Sequence, residues 1–505
     1  MRNLSKEVLF VAAESAPFIK TGGLGSVMGS LPKELNQLNT NVCVVIPAYE
    51  CIVEEWKAKM EYLFSFPLHM GWRNLMAEVY RAEADGVTYY FIGNETYFSG
   101  ERPYGEIWAD VEKFAFFSKA VLEMLSYLEL PVDIIHCHDW QTGLLPVFLK
   151  TDYGKDPYYQ RMKTIMTIHN IQFQGVLDLD SMKDITGLPD ELFSYDKLES
   201  YGNANMLKAG IVYADLITTV SQSYAKEIQT PEYGMDLFHV LEYRRDDLFG
   251  IVNGIDWELY NPKTDPYLQE NYDLDDFPSL RPFNKLALQK KTGLSSGSEH
   301  FTMGIVSRLT SQKGYDLLKD VLDDFFETGA QLYVLGEGEE KVESIFLSYQ
   351  EKYPQQVFIE HNYSDVIAKA IYAGCDVTLM PSRFEPCGLN QMMALRYGCL
   401  PIVRATGGLK DTVHDDTDIP LSFSSAALKE EKLLSEETEE KAYDGFSFER
   451  YDSKAFKACL LRAKKIYDDK PQEWENRMRN GMEKDFSWRA SALIYEELYI
   501  GLYLE

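Results

Sequence analysis

Short, almost continuously apolar segments alternate along this chain with longer segments in which apolar residues recur at helical spacing. Each short segment has the length of one strand, and strands that are apolar on both faces are typical of parallel sheets covered by helices. The pattern predicts such strands in both halves of the chain, at residues 8–13, 42–47, 89–93, 133–138, 164–170, 215–221, 302–308, 331–336, 356–360, 375–380 and 401–405.

The two sets of strands predict an α/β protein with two doubly wound, Rossmann-like domains facing each other across a cleft. A chain of 505 residues also exceeds what one hydrophobic core usually supports. We place the first domain at residues 1–260, a polar connection at 261–295, the second domain at 296–484, and a C-terminal helix returning to the first domain at 485–505. Ligands of open α/β sheets bind beyond the carboxyl ends of the strands, so we expect the site in that cleft.

The charge of the chain narrows the classes of partner. With 79 acidic and 50 basic residues the net charge is −29, which argues against nucleic acid or an anionic membrane as a partner. An anionic small molecule is not excluded, because a few cations and backbone amides reverse the potential locally. The strongly acidic stretch at 424–444 is expected to be an exposed excursion without chemistry.

The sequence gives no sign of export or of a membrane span. The apolar run at 8–13 is short and ends at Glu14, so we interpret it as a first buried strand rather than a signal peptide. No segment is long and apolar enough to cross a bilayer. The seven cysteines are scattered and odd in number, which fits free thiols in a reducing compartment. We therefore expect a cytoplasmic protein.

The first predicted strand leads into a loop that contains Lys20, Gly22 and Gly23. Paired glycines let a ligand approach the backbone closely, and the N-terminus of the following helix offers unpaired N–H groups to a phosphate. The loop matches neither a dinucleotide-binding nor a Walker pattern, so an NAD enzyme or a P-loop ATPase is not supported. A tight turn without a ligand stays the alternative for this loop alone.

Three charged residues follow predicted strands of the second half. Arg308 and Lys313 lie five positions apart across a turn, and both could reach a diphosphate and stabilise its charge as it leaves. Glu385 could hydrogen-bond sugar hydroxyls and favour positive charge on an oxocarbenium-like carbon. The alternatives are an exposed basic pair and a helix-capping carboxylate.

Three histidines lie on or beyond two predicted strands of the first half. His169 ends its strand, where a single histidine is most often structural. His136 and His138 alternate along a strand and could be mistaken for metal ligands. No second group of His, Asp or Cys at ligand spacing accompanies them, so we predict no metal site.

An ordered series of motifs along almost the whole chain resembles one family, the bacterial-type glycogen/starch synthases. These enzymes are ADP-glucose-dependent glucan synthases of glycosyltransferase family 5, with the GT-B fold. The motifs are, in chain order, Lys20-Thr21-Gly22-Gly23-Leu24-Gly25, His138-Asp139-Trp140-Gln141-Thr142, Thr167-Ile168-His169-Asn170, Thr219-Val220-Ser221, Glu227-Ile228-Gln229-Thr230-Pro231, Asn253-Gly254-Ile255-Asp256, Ser307-Arg308-Leu309-Thr310-Ser311-Gln312-Lys313-Gly314, Pro381-Ser382-Arg383-Phe384-Glu385-Pro386-Cys387-Gly388-Leu389, Thr406-Gly407-Gly408-Leu409 and Asp485-Phe486-Ser487-Trp488.

The resemblance implies transfer of glucose, with retention, from ADP-glucose to the non-reducing end of an α-1,4-glucan, without a metal or other cofactor. It implies that 1–260 is the acceptor-side starch synthase catalytic domain and that 296–484 is a nucleotide-sugar-binding domain of the glycosyltransferase group 1 type. Two alternatives stay open: a non-catalytic or weakly active glucan-binding paralogue, and a related retaining glycosyltransferase with a different acceptor.

The resemblance also assigns roles residue by residue. The implied catalytic residues are Arg308, Lys313, Glu385 and His169. The implied donor-binding residues are Lys20, Gly22, Gly23, Asn253, Tyr363, Cys387, Gly388, Leu389, Thr406, Gly407 and Gly408. The implied acceptor-binding residues are Ser26, Asp139, Trp140 and Gln141, with the indole of Trp140 stacking on the apolar face of a sugar ring.

The sequence departs from the family pattern at two acceptor-side positions. Ser26 stands where most relatives have aspartate, and Gln141 stands where histidine is frequent. Glutamine still hydrogen-bonds a hydroxyl but cannot be protonated, and serine removes a negative charge. Both departures question acceptor preference or turnover rate more than donor binding.

Overall fold

The computed structural model describes residues 5–319, 321–416 and 442–504. Two compact units make up the chain: unit 1 comprises Met1–Gly254 and Ser487–Glu505, and unit 2 comprises Ile255–Phe486. Most of the predicted acidic excursion, residues 424–441, lies outside the described residues. Within the described ranges, no helix combines the length and the apolar character needed to cross a membrane.

Unit 1 is built on one large sheet, in which nine strands are present among the described residues, in the order β12-β11-β7-β6-β1-β2-β5-β4-β3. A second, small antiparallel sheet has the order β8-β10-β9. The strands are β1 Lys6–Val11, β2 Thr40–Pro47, β3 Glu61–Met70, β4 Arg73–Ala84, β5 Val87–Gly93, β6 Ile134–His138, β7 Lys163–Ile168, β8 Val176–Asp178, β9 Glu199–Ser200, β10 Asn203–Asn205, β11 Leu216–Thr219 and β12 Leu248–Gly250.

Helices cover the large sheet of unit 1. They are α1 Gly23–Leu35, α2 Glu54–Lys57, α3 Ile107–Leu128, α4 Leu145–Thr151, α5 Leu179–Thr186, α6 Met206–Tyr213, α7 Gln222–Glu227, α8 Phe238–Tyr243 and, from the end of the chain, α17 Trp488–Leu504. Helix α1 buries Leu24, Val27, Met28, Leu31 and Leu35, which share one face at helical spacing, and it packs against α17. The core strand β1 is almost fully buried, as its continuous apolar run predicts.

The large sheet of unit 1 is mixed, because an antiparallel hairpin that the sequence analysis missed forms one edge. Strands β3 and β4 pair with each other, and β4 pairs antiparallel with β5 across the tight turn Asp85-Gly86. Both turn residues have positive φ, 50° and 77°, as a two-residue hairpin turn requires. The Asp-Gly pair between alternating segments was the available signal for this hairpin.

Unit 2 is built on a sheet of six parallel strands among the described residues, in the order β15-β14-β13-β16-β17-β18. Its strands are β13 Thr302–Val306, β14 Gln331–Leu335, β15 Val357–Glu360, β16 Val377–Met380, β17 Leu400–Arg404 and β18 Phe446–Phe448. Its helices are α9 Phe277–Thr292, α10 Asp323–Phe326, α11 Glu340–Lys352, α12 Asp365–Gly374, α13 Asn390–Arg396, α14 Gly407–Thr412, α15 Ser453–Asp469 and α16 Pro471–Glu483.

The stretch 261–295, which the sequence analysis treats as a connection, is an integral part of unit 2. Helix α9 occupies much of it and packs on α12, burying Phe277 and Leu288 in the core. The guanidinium of Arg281 is also buried and donates to the carbonyl of Tyr397 at 2.9 Å. The polar appearance of this segment arises because the buried face of α9 itself carries polar side chains that bond to backbone carbonyls.

Candidate active site

The glycine loop of unit 1 is held by a buried carboxylate, Glu14, which is 1% exposed. Glu14 accepts hydrogen bonds from the backbone N–H of Thr21 at 2.8 Å and of Gly25 at 2.9 Å, and from the hydroxyl of Thr21. These three hydrogen bonds fix the path of the loop into α1. Sequence reasoning missed Glu14; its signal was an acidic residue at the end of an otherwise apolar strand.

The N-terminus of α1 is open to solvent. Gly22 caps the helix without a side-chain hydrogen bond, and the first turn contains no acidic residue. Lys20, Gly22 and Gly23 are exposed, whereas Ser26 is half-buried one turn further on. A Cβ added at Gly23 would meet no atom within 4 Å. The structure therefore brings the predicted lysine and glycines together beside free space that suits an anion.

The carboxyl ends of β6 and β7 bring His138, Asp139 and His169 together. The two strands are parallel neighbours, with His138 in register with Thr167. Nδ1 of His138 lies 3.0 Å from Nε2 of His169, and Oδ1 of Asp139 accepts the backbone N–H of His169 at 2.8 Å. Burial lowers the pKa of His169 to about 3, so the imidazole is neutral at physiological pH.

Asp139 has a strained backbone, with φ 59° and ψ 178°, a region otherwise occupied almost only by glycine. Its own N–H donates to the carbonyl of Thr167 at 2.9 Å, which together with the His169 contact holds this conformation. Burial raises the pKa of Asp139 to about 7, against the lowering effect of the backbone N–H groups of His169 and Asn170 and with a further rise from Glu14. Strain and a raised pKa at one carboxylate are typical of a functional position.

We expect Asp139→Asn to change how stability depends on pH. The folded-state pKa of about 7 lies above the ordinary 3.8, so the stability from the protonated carboxyl is complete below pH 3.8 and is lost as pH rises through 7. The asparagine variant should therefore gain about 2 kcal/mol relative to the unmodified protein between pH 5.5 and pH 8, at 1.36 kcal/mol per unit over about 1.5 units. Urea unfolding at both pH values measures this, and an equal difference at the two pH values would contradict it.

Two predicted acceptor residues lie in the interior of unit 1. Trp140 is only 6% exposed; its ring packs edge-on against Phe114 at a centroid distance of 5.4 Å and against the backbone of Gly175. These contacts leave little of the indole accessible, and its stacking on a sugar stays a prediction. Gln141 is 7% exposed, and its Oε1 finds no hydrogen-bond partner among the described residues.

In unit 2, Lys313 and Glu385 form one ion pair, 2.7 Å from Nζ to Oε2, with both side chains mostly buried. The hydroxyl of Ser382, a residue that sequence reasoning missed, donates to the same Oε2 at 3.0 Å. The pair follows from the sheet, since β13 and β16 are parallel neighbours and their carboxyl ends adjoin. Arg308, at the end of β13, is exposed.

Backbone contacts lock the two loops of this pair together. The N–H of Arg383 donates to the carbonyl of Gln312 at 2.9 Å, and the side-chain amide of Gln312 donates to the carbonyl of Phe384 at 3.3 Å. Gly314 has φ 73°, and its Cα packs closely against the carbonyl of Pro381. A Cβ added at Gly314 would lie 2.0 Å from the carbonyl oxygen of Pro381. Lys313 is thereby fixed beside Glu385 by the loops themselves.

Gly407 and Gly408, two of the predicted donor-binding residues, pack on the loop that carries Glu385. The N–H of Gly408 donates to the carbonyl of Glu385 at 3.0 Å, so this amide is already paired within unit 2. Thr406, the residue before the turn, is buried. Gly407 and Gly408 therefore help to fix the backbone of Glu385.

The rest of the Glu385 loop is held by Gln391. Its side-chain amide donates to the carbonyls of Cys387 at 3.1 Å and Gly388 at 2.9 Å. Cys387 is buried, whereas Gly388, with φ 72°, and Leu389 are half-buried.

Two further predicted donor residues are Tyr363 in unit 2 and Asn253 in unit 1. Tyr363 of unit 2 is 64% exposed and donates to Asp365 at 2.9 Å. Asn253 of unit 1 is buried, next to Gly254, whose Cα packs on the backbone of Trp488. Among the residues that the structure describes, no group of three or more His, Cys, Asp or Glu is arranged to hold a metal ion.

Comparison with known proteins agrees with these motifs. The family model for the starch synthase catalytic domain matches residues 7–243, and that for glycosyl transferases group 1 matches residues 289–440. Glycogen synthases of Lachnospira eligens and Lachnoclostridium phytofermentans are 49% and 48% identical to the chain, over 98% of its length and 100% of theirs.

Solved structures give the same result. The catalytic domain of starch synthase IV from Arabidopsis thaliana, bound to ADP and acarbose, matches with a TM-score of 0.87 and 31% identity, over 99% of this chain and 100% of that one. A sucrose-phosphate synthase from Thermosynechococcus elongatus shares the fold, with a TM-score of 0.59 and 15% identity over 99% of both chains. The predicted two-domain α/β fold and the resemblance are confirmed. The chain belongs to the glycogen synthase family, and it is a glycosyltransferase.

Proposed function

We propose that the chain transfers glucose from ADP-glucose, with retention, to the non-reducing end of an α-1,4-glucan. The observation that carries the proposal is the Lys313–Glu385 pair, together with exposed Arg308, in the loops that follow two adjacent parallel strands. The ADP and acarbose bound to the starch synthase IV relative support a nucleotide diphosphate and a glucose oligomer as ligands. The free state of all seven cysteines supports a reducing, cytoplasmic setting.

Cations of unit 2 would carry the donor chemistry. Arg308 is exposed and free to form a bidentate contact with the diphosphate, and Lys313 adds a second positive charge. As the bond between C1 and the diphosphate oxygen breaks, these charges stabilise the negative charge on the leaving group. Glu385 is held in place by Lys313 and Ser382. Its carboxylate would accept hydrogen bonds from sugar hydroxyls and stabilise positive charge at C1.

The acceptor's 4-hydroxyl oxygen forms the new bond to C1 on the face from which the diphosphate leaves. Its proton passes to an oxygen of the leaving phosphate, so the step balances without a separate general base. In unit 1, Lys20 and the N-terminus of α1 would bind phosphate, and neutral His169 would hydrogen-bond a glucose hydroxyl. Asp139, Trp140, Gln141 and Ser26 stay the proposed acceptor contacts, with the side chains of Trp140 and Gln141 mostly buried.

Incorporation of glucose from ADP-glucose into glycogen tests the proposal, with Glu385→Ala as the inactive control. We expect incorporation far above that control. Incorporation no greater than the control would overturn transfer and favour a glucan-binding paralogue. A parallel assay with UDP-glucose and with several acceptors tests the base of the donor and the identity of the acceptor. A preference for UDP-glucose would overturn the proposed donor, and a preference for another acceptor would overturn the proposed α-1,4-glucan.

Gly23→Ala separates ligand binding from folding. Because a Cβ at Gly23 meets nothing within 4 Å, and alanine favours a helix, stability should stay equal or rise by about 0.5–1 kcal/mol. We expect KM for ADP-glucose to rise at least about tenfold, since the methyl group fills space that a phosphate needs. Gly501→Ala, also in open space on a helix of unit 1, is the matched control. Equal KM values for the two variants would contradict a ligand at this loop.

A further inference from the structure

A stack of two buried imidazoles lies behind His169 in unit 1. The rings of His136 and His138 stack at a centroid distance of 4.3 Å, and Phe10 packs against His138 at 5.1 Å. Both stacked histidines are completely buried. The ring of His138 is thus held in one place, with Nδ1 aimed at Nε2 of His169 at 3.0 Å.

The contact between His138 and His169 joins two neutral rings. Burial lowers the pKa of His138 well below its ordinary value, with smaller contributions from His136 and His169, and it lowers that of His169 to about 3. A neutral imidazole has one N–H and one lone pair. Two nitrogens at hydrogen-bond distance therefore require that one ring donates and the other accepts.

The other nitrogen of His138 decides the direction. Nε2 of His138 is buried and has no hydrogen-bond partner among the described residues. If His138 accepted from His169, its proton would be on Nε2, and a buried N–H would be left unpaired. If His138 donates from Nδ1, only a lone pair is left unpaired, which costs less.

The direction of this bond determines which nitrogen of His169 carries a proton. His169 accepts at Nε2, so its own N–H is on Nδ1, for which the structure gives no partner among the described residues. His136 does not compete for His138, because its nitrogens lie 2.8 Å from the hydroxyl of Tyr499 and 2.5 Å from that of Thr167. His169 thus presents a donor on its unpaired nitrogen.

We propose that His138 is a positioning residue that holds His169 in the tautomer protonated at Nδ1, so that His169 donates a hydrogen bond to a sugar hydroxyl oxygen. The contact with sugar rests on the proposed function; the tautomer does not. A matched pair of variants separates the donor from the ring. Asparagine at 138 places an amide N–H near the position of Nδ1, whereas phenylalanine keeps a ring of similar shape without a donor.

Nitrogen NMR of [15N]histidine-labelled protein at neutral pH measures the tautomer directly, with His169→Gln identifying the resonances. We expect the His169 proton on Nδ1 in the unmodified protein and in His138→Asn, and a shift toward Nε2 in His138→Phe. In glucose transfer, we expect kcat to fall about tenfold to hundredfold in His138→Phe and to stay within about threefold in His138→Asn, with KM for ADP-glucose little changed.

A proton on Nε2 of His169 in the unmodified protein overturns the proposal, as does an unchanged tautomer in His138→Phe or an equal loss of kcat in both variants. If His138→Phe fails to fold, the spectra of the unmodified protein and of His138→Asn still show which nitrogen of His169 carries the proton. An unmodified protein that transfers no glucose overturns the proposed function instead, and the tautomer of His169 is still measured.

Discussion

Replacing Lys313 with methionine is expected to lower kcat for glucose transfer about 10³-fold, because it removes a cation that stabilises the departing diphosphate. The variant also leaves Glu385 buried with Ser382 as a remaining donor, which is expected to cost about 3–5 kcal/mol of folding stability. Stability and catalysis therefore change together in this variant, and a control must separate them. Steady-state kinetics on the folded fraction and urea unfolding measure the two effects.

Lys285→Met is that control. Lys285 lies in the same unit and forms a buried ion pair with Asp376, at 2.8 Å, but belongs to none of the motifs. Its loss should reduce stability by a similar amount, about 3–5 kcal/mol, and leave kcat per folded molecule unchanged. Equal kcat values for the two variants would show that Lys313 contributes to folding only and would remove it from the proposed mechanism.

Replacing Gly407 with alanine is expected to displace the backbone of Glu385 and so to lower both stability and activity. Gly407 has φ 47°, and a Cβ would lie 2.0 Å from the carbonyl oxygen of Glu385. Relieving that overlap must move the backbone of the catalytic glutamate, so we expect a stability loss of about 2–5 kcal/mol and a fall in kcat of about 100-fold. Thermal unfolding and kinetics on the folded enzyme measure both.

Gly293→Ala supplies the comparison for backbone strain alone. Gly293 ends helix α9 with φ 73°, and a Cβ there meets nothing within 4 Å. It should lose only about 1–2 kcal/mol, the cost of a left-handed backbone, with kcat unchanged. If Gly407→Ala behaved like Gly293→Ala in both measurements, the support of Glu385 by this turn would be disproved.

The sequence predicted the central strands because their apolar runs are continuous. The resemblance to a family singled out the motif residues, and several of them follow a predicted strand. The sequence could not predict that Lys313 pairs with Glu385. The two lie 72 positions apart, and they meet because β13 and β16 are neighbours although β14 and β15 intervene in the chain. Strand order is a property of the whole sheet, so no local pattern encodes it.

Two other features depended on tertiary contacts that a local pattern does not contain. The resemblance implies that Trp140 stacks on a sugar, and the structure shows its indole mostly buried against Gly175, more than thirty positions away in the chain. The segment that forms helix α9 was expected to be a connection because its composition is polar. In the structure, polar residues such as Arg281 lie on the buried face of α9 and bond to backbone carbonyls. The hairpin β4–β5 was different, since its Asp85-Gly86 turn was a readable local signal.

Helix α17 makes the order of synthesis matter for this protein. Its Tyr499 hydroxyl bonds to His136, and Ser491 donates to the carbonyl of Val252, so unit 1 needs residues from both ends of the chain. All of unit 2 is translated between them. During synthesis, unit 1 therefore cannot complete its fold until unit 2 has been translated, and the histidine stack stays uncovered until α17 is available.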